Sequence, residues 1–348
     1  MKQTIFTLLL LSTIGFMSCR KTGTEPNIAQ YDQTQIQNYI KANGITGMKP
    51  DRGDTSGIYY KILDTPKAVL GDSLTYSDNV SFVFTLRSFD GKYTSNDTIM
   101  NHYAGYVGHI STSNLPAGLE IAIINDLKYS GGSMRILIPS DLAYGVNGYG
   151  SGSINVAGSH IAGNQCLDYY VHIISSEKNN VYGTNAYGYQ YISNTAQNAY
   201  DDQVIQNYLT ASGFTYSNTP SNIVSSKTYY RVPSINVPGA YYYYAIKVQG
   251  TGTDTINQNS TITTTYAGRI LNNTYFDESN NTIADTISFA VPTLALGVQE
   301  ALSHATTGAT ISMILPSALG YGANPPSGGG IPTYSPLRFE FEVRRVSP

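Results

Sequence analysis

The sequence repeats itself at the length of a whole domain. Three blocks return in the same order: "DQTQIQNYIKANG" (32–44) as "DDQVIQNYLTASG" (201–213), "IYYKI" (58–62) as "TYYRV" (228–232), and "ILIPSDLAYG" (136–145) as "MILPSALGYG" (313–322). The first pair is offset by 169 residues, from position 32 to position 201. A period of that size is a domain rather than a solenoid unit, so the chain is a tandem duplication. Its 348 residues suit two domains.

The repeat sets the expected domain boundaries. We expect a first domain over residues 32–178 and a second over residues 200–348. Residues 179–199 are rich in Asn, Tyr and Gly and carry no charge, which favours an extended linker. Each unit reads as a helix, an outer strand, a long irregular stretch, a strand, a short helix (294–302 in the second unit) and two closing strands. This order predicts an α+β fold, with an antiparallel sheet wrapped on a short central helix.

The N-terminus has the pattern of an export signal. One lysine precedes an apolar run over residues 5–17, which is too short for a permanent membrane helix. An ordinary cleaved signal peptide is one interpretation. "GFMSC" resembles the lipobox of bacterial lipoproteins, which implies that residues 1–18 are removed and that Cys19 becomes a lipidated first residue. Arg20 and Lys21, rather than aspartate, then point to the outer membrane, and residues 19–31 would be a tether.

Composition excludes several classes of function. A formal net charge of -3, with 12% charged residues, argues against a nucleic-acid surface. If Cys19 carries lipid, Cys166 has no partner in the chain, and a buried thiol is expected there rather than a disulfide or a nucleophile. The five histidines show no metal-ligand spacing, so we expect neither a metal nor a cofactor. Thirty tyrosines and no tryptophan fit a protein of short strands and turns.

The second unit collects aromatic and aliphatic residues around one carboxylate. Tyr266 lies on an alternating strand pattern, and "TYFDES" (274–279) follows a turn and carries Asp277. The Pro- and Gly-rich loop 320–330 offers no nucleophile and precedes no helix, which removes a phosphate-binding interpretation. Taken singly, each of these residues is more simply interpreted as core.

Taken together, the order "Y-A-G … Y-F-D … G-V … L-P-S … G-Y-G … G-I-P … L-x-F-x-F-x-V" resembles the FKBP family of peptidyl-prolyl cis-trans isomerases. The resemblance is close over residues 255–346 and looser in the first unit, and it implies two tandem FKBP-like domains. It implies a catalytic set of Tyr266, Asp277, Tyr321 and Ile331. The substrate-binding set that it implies is Phe276, Phe289, Leu294, Ala295, Val298 and Phe339.

The resemblance also assigns roles to these residues. The Tyr321 hydroxyl and the Ile331 N–H would bond substrate carbonyls, and Asp277 would organise the aromatic wall by hydrogen bonding. The pocket floor is usually a tryptophan, where this chain has Val298. A valine would leave the cup wider and weaken the binding of substrates and of macrolides.

The first unit has the same order of motifs as the second but differs at several of the pocket positions. Matched to the second unit, it places Phe84 at Tyr266, Tyr93 at Phe276, Thr94 at Asp277, Leu119 at Val298, Tyr144 at Tyr321, Ile161-Ala162 at Ile331-Pro332, and Tyr169 at Phe339. We expect this unit to be a weak or inactive isomerase.

Two functions remain as hypotheses. The first is an isomerase that acts on X-Pro bonds of cell-envelope proteins through its C-terminal domain, anchored to the membrane by lipid. The second is a non-catalytic binding or scaffold lipoprotein in an envelope assembly, in which two FKBP-like folds serve as recognition surfaces.

Overall fold

The computed structural model describes residues 27–51, 55–65, 73–152, 156, 158–184, 190–279 and 286–348. The expected signal peptide (1–18) and the lipidation site Cys19 lie outside the described residues. Within the described ranges, no helix combines the length and the apolar character needed to cross a bilayer.

Four α-helices occur in the described residues. They are α1 (Ile28–Ala42), α2 (Ala117–Ala122, continued by a π-helical turn over Ile123–Leu127), α3 (Thr195–Ala211) and α4 (Leu296–Leu302). Both long helices begin with an asparagine cap, since Asn27 accepts from the N–H of Gln30 and Asn194 accepts from that of Gln197. These caps start the helices before residues 32 and 200, so the end of the expected tether (28–31) is helical.

The first sheet is antiparallel throughout. Its strands are β1 (Lys49–Pro50), β2 (Tyr59–Asp64), β3 (Asn79–Ser88), β4 (Thr94–Ser95), β5 (His102–Tyr106), β6 (Ser133–Ile138) and β7 (Leu167–Ser176). The order is β1-β2-β6-β7-β3-β4, and β5 also pairs with β3. One face packs on α2 through Leu119 and Ala122, while Leu137 on the other face packs against Ile36 of α1.

The segment expected to be an extended linker (179–199) is folded instead. It contains β8 (Asn180–Thr184) and β9 (Gln190–Asn194), which form an antiparallel hairpin, and the first turn of α3. Val, Tyr and Ile in its two halves favour strand pairing, and this preference outweighs the charge-free, Gly-containing composition that suggested a linker.

The second sheet has one more strand than the first. Its strands are β10 (Thr215–Ser217), β11 (Thr228–Pro233), β12 (Tyr241–Val248), β13 (Thr261–Ile270), β14 (Tyr275–Glu278), β15 (Ile287–Ala290), β16 (Thr310–Leu315) and β17 (Leu337–Ser347). The order is β10-β11-β12-β16-β17-β13-β14, with β15 also on β13, and only the β10–β11 pair is parallel. Along β17, the alternate residues Leu337, Phe339, Phe341 and Val343 are buried against α4 and its neighbours.

Strand register shows which residues of the two copies correspond. Tyr59 pairs with Leu137 on β6, whereas Tyr243 pairs with Ile314 on β16. The copy of "IYYKI" is therefore "YYYAI" (242–246) on β12, and the sequence match to "TYYRV" on β11 is wrong. Runs of tyrosine on two adjacent strands produced the false match.

The predicted α+β fold, with two antiparallel-rich sheets each packed on a short helix, is confirmed. A buried aspartate fastens the N-terminal helix in both copies. Asp32 accepts from the N–H and hydroxyl of Ser140 at 2.7 and 2.8 Å, and Asp201 accepts from the same groups of Ser317 at 2.7 and 2.5 Å. The repeated "PS" dipeptide after β6 and β16 is therefore a helix-docking element.

The Asp201 anchor makes stability depend on pH. Burial raises the pKa of Asp201 to about 6, although its hydrogen bonds to Ser317 and Gln197 favour the carboxylate. A folded-state pKa above the unfolded value means that the folded chain binds the proton more tightly, so this stabilisation is complete below about pH 4 and is lost as the pH rises through 6. We expect the free energy of unfolding to fall by about 2 kcal/mol across that window. Urea unfolding at pH 4 and pH 7 measures this fall, and Asp201→Asn should flatten it; an unchanged dependence in that variant would contradict the assignment.

Candidate functional site

The predicted pocket residues of the second unit come together on one face of its sheet. Five ring contacts join six aromatic side chains: Phe289 to Tyr266 (5.5 Å), Tyr266 to Phe341 (5.6 Å), Phe341 to Phe339 (6.1 Å), Phe339 to Phe276 (5.5 Å), and Phe276 to Tyr321 (6.5 Å). Most of these pairs meet edge to face or tilted, the arrangement that the ring quadrupole favours. The result is a continuous aromatic wall.

The remaining predicted residues complete this wall. Val298 on α4 and Ile331 are buried in the same core as Phe339, and Leu294 and Ala295, just before α4, pack against it while staying partly exposed. Gly297 lets α4 approach β16 closely, because a Cβ there would lie 2.6 Å from Leu315 Cδ2. Sequence reasoning missed Phe341, although the alternation along β17 puts it on the same face as Phe339.

Gly268 is a second residue that sequence reasoning missed. It lies two positions after Tyr266 on β13 and pairs with Phe339. A Cβ at this position would lie 2.6 Å from Phe276 Cζ and 3.0 Å from Phe339 Cε1. Because Gly268 has no side chain, the Phe276 ring occupies the space that a side chain would fill. Its position in "YAG" was the available signal.

Asp277 holds the edge of the wall through Tyr266. The Tyr266 hydroxyl donates to Asp277 Oδ2 at 2.6 Å, and the carboxylate is exposed on β14. Burial raises the pKa of Tyr266, and the hydrogen bond to Asp277 raises it further. The phenol therefore keeps its proton at neutral pH, and its ring is fixed by a charge-assisted hydrogen bond.

Two hydrogen-bond donors at this site have no partner among the residues that the structure describes: the Tyr321 hydroxyl and the Ile331 N–H. A 3₁₀ turn over Ser317–Leu319 precedes Tyr321, and the N–H of Gly322 donates to Ser317 O, which fixes the tyrosine's place. Burial raises the pKa of Tyr321, as does the nearby Asp277 charge, so this phenol stays a donor. An apolar wall with two free donors suits an apolar ring flanked by carbonyl groups.

The corresponding place in the first domain is filled by the chain itself. Leu86 pairs with Tyr169 as Gly268 pairs with Phe339, and it is buried where the second domain has no side chain. The Tyr144 hydroxyl donates to Asn114 O at 3.2 Å, and its ring stacks on Tyr149 at 4.6 Å.

Register also corrects two predicted matches in the first domain. The N–H of Ser88 donates to Tyr93 O as that of Ile270 donates to Thr274 O, so Tyr93 stands at Thr274 and the match of Tyr93 to Phe276 is wrong. Ser95, which pairs with Leu86, stands where Asp277 pairs with Gly268; the sequence match of Thr94 to Asp277 is therefore off by one residue. The bulge between Gly268 and Arg269, absent from the short β4, accounts for the difference.

We expect Asp277→Ala to lower the activity of this site by about fivefold, because the Tyr266 ring loses the acceptor that orients it. Asp277→Asn, which keeps an acceptor oxygen, should retain most of the activity. The measurement is kcat/KM on a proline peptide. Equal losses in both variants would contradict an orienting role through Tyr266.

Comparisons with known proteins assign a class to this domain. Residues 252–344 match the model of the family described as FKBP-type peptidyl-prolyl cis-trans isomerase. Over these residues the C-terminal domain is similar to that family, and with its copy the chain contains two tandem FKBP-like domains.

Particular relatives share only part of the chain. The chain is 30% identical, over 126 residues, to the FKBP-type peptidyl-prolyl cis-trans isomerase FkpA of Buchnera aphidicola subsp. Schizaphis graminum (strain Sg). The matched region covers 35% of this chain and 49% of the relative. The chain thus spans about half the length of that curated relative.

Three solved structures match the chain at low identity and low TM-score. FkpA from Escherichia coli is 21% identical, with a TM-score of 0.32, over 43% of this chain and 61% of that one. The peptidyl-prolyl cis-trans isomerase of Pseudomonas syringae pv. tomato is 21% identical, with a TM-score of 0.31, over 48% of this chain and 100% of that one. The three FKBP domains of wheat FKBP73 are 14% identical, with a TM-score of 0.29, over 87% of this chain and 99% of that one.

Proposed function

We propose that the C-terminal domain catalyses cis-trans isomerisation of X-Pro peptide bonds. The observation that carries this proposal is the convergence of Tyr266, Phe276, Tyr321 and Phe339 on one wall beside two free donors. The match of residues 252–344 to the isomerase family supports it.

The reaction requires no nucleophile. Rotation about the X-Pro bond crosses a barrier of about 18–20 kcal/mol, because twisting the amide destroys its resonance. A twisted amide carries less charge separation than a planar one, so an apolar site from which water is excluded favours it over the ground state. A site that binds the twisted amide more tightly than the planar amide lowers the rotational barrier and so catalyses the isomerisation.

We propose a role in this mechanism for each residue of the site. The proline ring would lie against Phe276, Phe339 and Val298. The Tyr321 hydroxyl and the Ile331 N–H would donate to substrate carbonyls. Phe289, Leu294 and Ala295 would border the ring, while Asp277 orients Tyr266. Val298 in place of a tryptophan would widen the floor, so macrolides would bind weakly.

The rate of isomerisation in a reporter peptide with one X-Pro bond tests this proposal, using the full chain. We expect the rate to rise in proportion to protein concentration above the uncatalysed exchange. A rate equal to the uncatalysed one would reject the enzyme.

A second candidate function is binding without catalysis, as a scaffold in an envelope assembly. The filled pocket of the first domain and the valine at position 298 favour it. It predicts that a proline peptide binds the full chain while the exchange rate of the bound peptide stays uncatalysed.

We further propose that the clients are proline-containing polypeptides of the cell envelope and that lipid on Cys19 anchors the protein, with the outer membrane as its site. The lipobox-like "GFMSC" supports this proposal. Cys19→Ala should move the protein from the membrane pellet to the soluble fraction of lysed cells. A variant that still sediments with membranes would contradict the lipid anchor.

A further inference from the structure

The loop that carries Ile331 is held by the first domain as well as by its own. The Nδ1 atom of His102, on β5 of the first domain, lies 2.5 Å from the carbonyl oxygen of Thr333, two residues after Ile331. A carbonyl oxygen only accepts, so Nδ1 carries the hydrogen. The imidazole also meets the Tyr334 ring edge to face at 5.8 Å.

The contact continues into the second domain by another route. Ser81 Oγ on β3 lies 2.8 Å from Nε2 of His102 and 2.7 Å from Oε1 of Gln197 on α3. Because the imidazole hydrogen is on Nδ1, both of these atoms are acceptors, and they share the one hydroxyl hydrogen of Ser81. Gln197 Nε2 donates to Asp201 Oδ1 at 2.8 Å, and Asp201 Oδ2 accepts from Ser317. We call this series the polar strut: Thr333, His102, Ser81, Gln197, Asp201 and Ser317.

Both ends of the polar strut are loops of the candidate site. Thr333 follows Ile331, and Ser317 precedes Tyr321 by four residues and accepts from the N–H of Gly322. The strut thus joins the segments that hold the two free donors, through two residues of the other domain. Ser81, Gln197, Asp201 and Ser317 are at most 2% exposed, so water does not compete well for these bonds.

The strut is specific to the second copy. Four residues before Asp32, where Gln197 stands before Asp201, the first domain has Ile28, which is exposed and carries no amide. Asp32 Oδ1 accordingly has no hydrogen-bond partner among the described residues. The first domain keeps the helix anchor and lacks the extension.

We propose that His102 is a positioning residue of the C-terminal site, through which the first domain holds the Ile331 loop in place for substrate. This proposal rests on the proposed isomerase function. Because burial lowers the pKa of His102 to about 4, the ring is neutral at pH 7 and serves as a hydrogen-bonding bridge rather than a charge. The first domain thereby holds a loop of the candidate site in the second domain.

The test compares full-chain variants at two readouts. His102→Phe keeps a ring beside Tyr334 and removes both hydrogen bonds, His102→Asn keeps a donor toward Thr333, and Ser81→Ala breaks the middle of the strut. His172→Phe is the matched control, since His172 also meets the second domain, through the ring of Tyr200 (5.8 Å) rather than through Thr333 or Tyr334. Thermal unfolding of each variant confirms that it is folded.

The first readout is hydrogen exchange of the Tyr334 N–H, which donates to Gly322 O at 2.8 Å. We expect exchange about tenfold faster in His102→Phe and Ser81→Ala and near the wild-type rate in His102→Asn and His172→Phe. Unchanged exchange in His102→Phe, or equal acceleration in His172→Phe, would overturn the proposal.

The second readout is kcat/KM on a proline peptide, which should fall about tenfold in His102→Phe and recover in His102→Asn. An activity loss that His102→Asn does not rescue would overturn the positioning role. If the wild-type chain does not accelerate isomerisation, the proposed function fails, and the exchange readout still decides whether the strut holds the loop.

Discussion

Gly268→Leu should lower kcat/KM on a proline peptide by about 100-fold, which corresponds to about 2.7 kcal/mol of transition-state binding. The reason is geometric: even a Cβ at this position would lie 2.6 Å from the Phe276 ring, so a leucine must displace that ring into the space proposed for the substrate proline. The variant reproduces in the second domain what Leu86 does in the first.

The effect should fall on the site more than on folding. Leu86 occupies the equivalent position of the first sheet and is buried there, so a leucine is compatible with this strand geometry. Ala267→Leu, one residue earlier and on the opposite face of β13, is the matched control and should keep nearly full activity. A Gly268→Leu variant as active as Ala267→Leu would show that the Phe276 position does not matter for catalysis.

Tyr321→Phe should lower kcat/KM by about tenfold, because it removes a single hydrogen bond that is made to the substrate and not to the protein. The hydroxyl has no partner among the described residues, so its loss should leave the thermal midpoint nearly unchanged. Both quantities are measured on the full chain.

The control for this variant is Tyr144→Phe, the corresponding change in the first domain. The Tyr144 hydroxyl is already bonded to Asn114 O, and its ring is covered by Tyr149. We expect its activity to equal that of the wild type. A loss in Tyr144→Phe with none in Tyr321→Phe would place the activity in the first domain instead.

The sequence was sufficient to predict the duplication, the α+β class and five of the six members of the aromatic wall, all but Phe341. Strict alternation along β17 puts Phe339 and Phe341 on one face, and the family-like spacing brings Tyr266 and Phe276 beside them. A sequence displays the alternation directly, whereas the grouping of these residues into one site was implied by the resemblance to the FKBP family.

The sequence did not predict features that depend on register or on the meeting of the two domains. A tyrosine pair on β11 looked like the copy of the pair on β2, because identical residues on neighbouring strands cannot be told apart without pairing partners. The polar strut could not be foreseen, since Ser81, His102 and Gln197 are far apart in the chain and each looks like an ordinary polar residue. The role of Gly268 was not predicted because it depends on the absence of a side chain, which leaves room for the Phe276 ring.

The central claim is that a proline ring lies against the aromatic wall of the second domain, and NMR of the full chain with a proline peptide tests it most directly. We predict intermolecular nuclear Overhauser effects from the proline ring protons to the ring protons of Phe276, Phe339 and Tyr321, together with accelerated cis-trans exchange of the bound peptide. Effects confined to Tyr93, Tyr144 or Tyr149 of the first domain, or a peptide that contacts neither wall, would contradict the account.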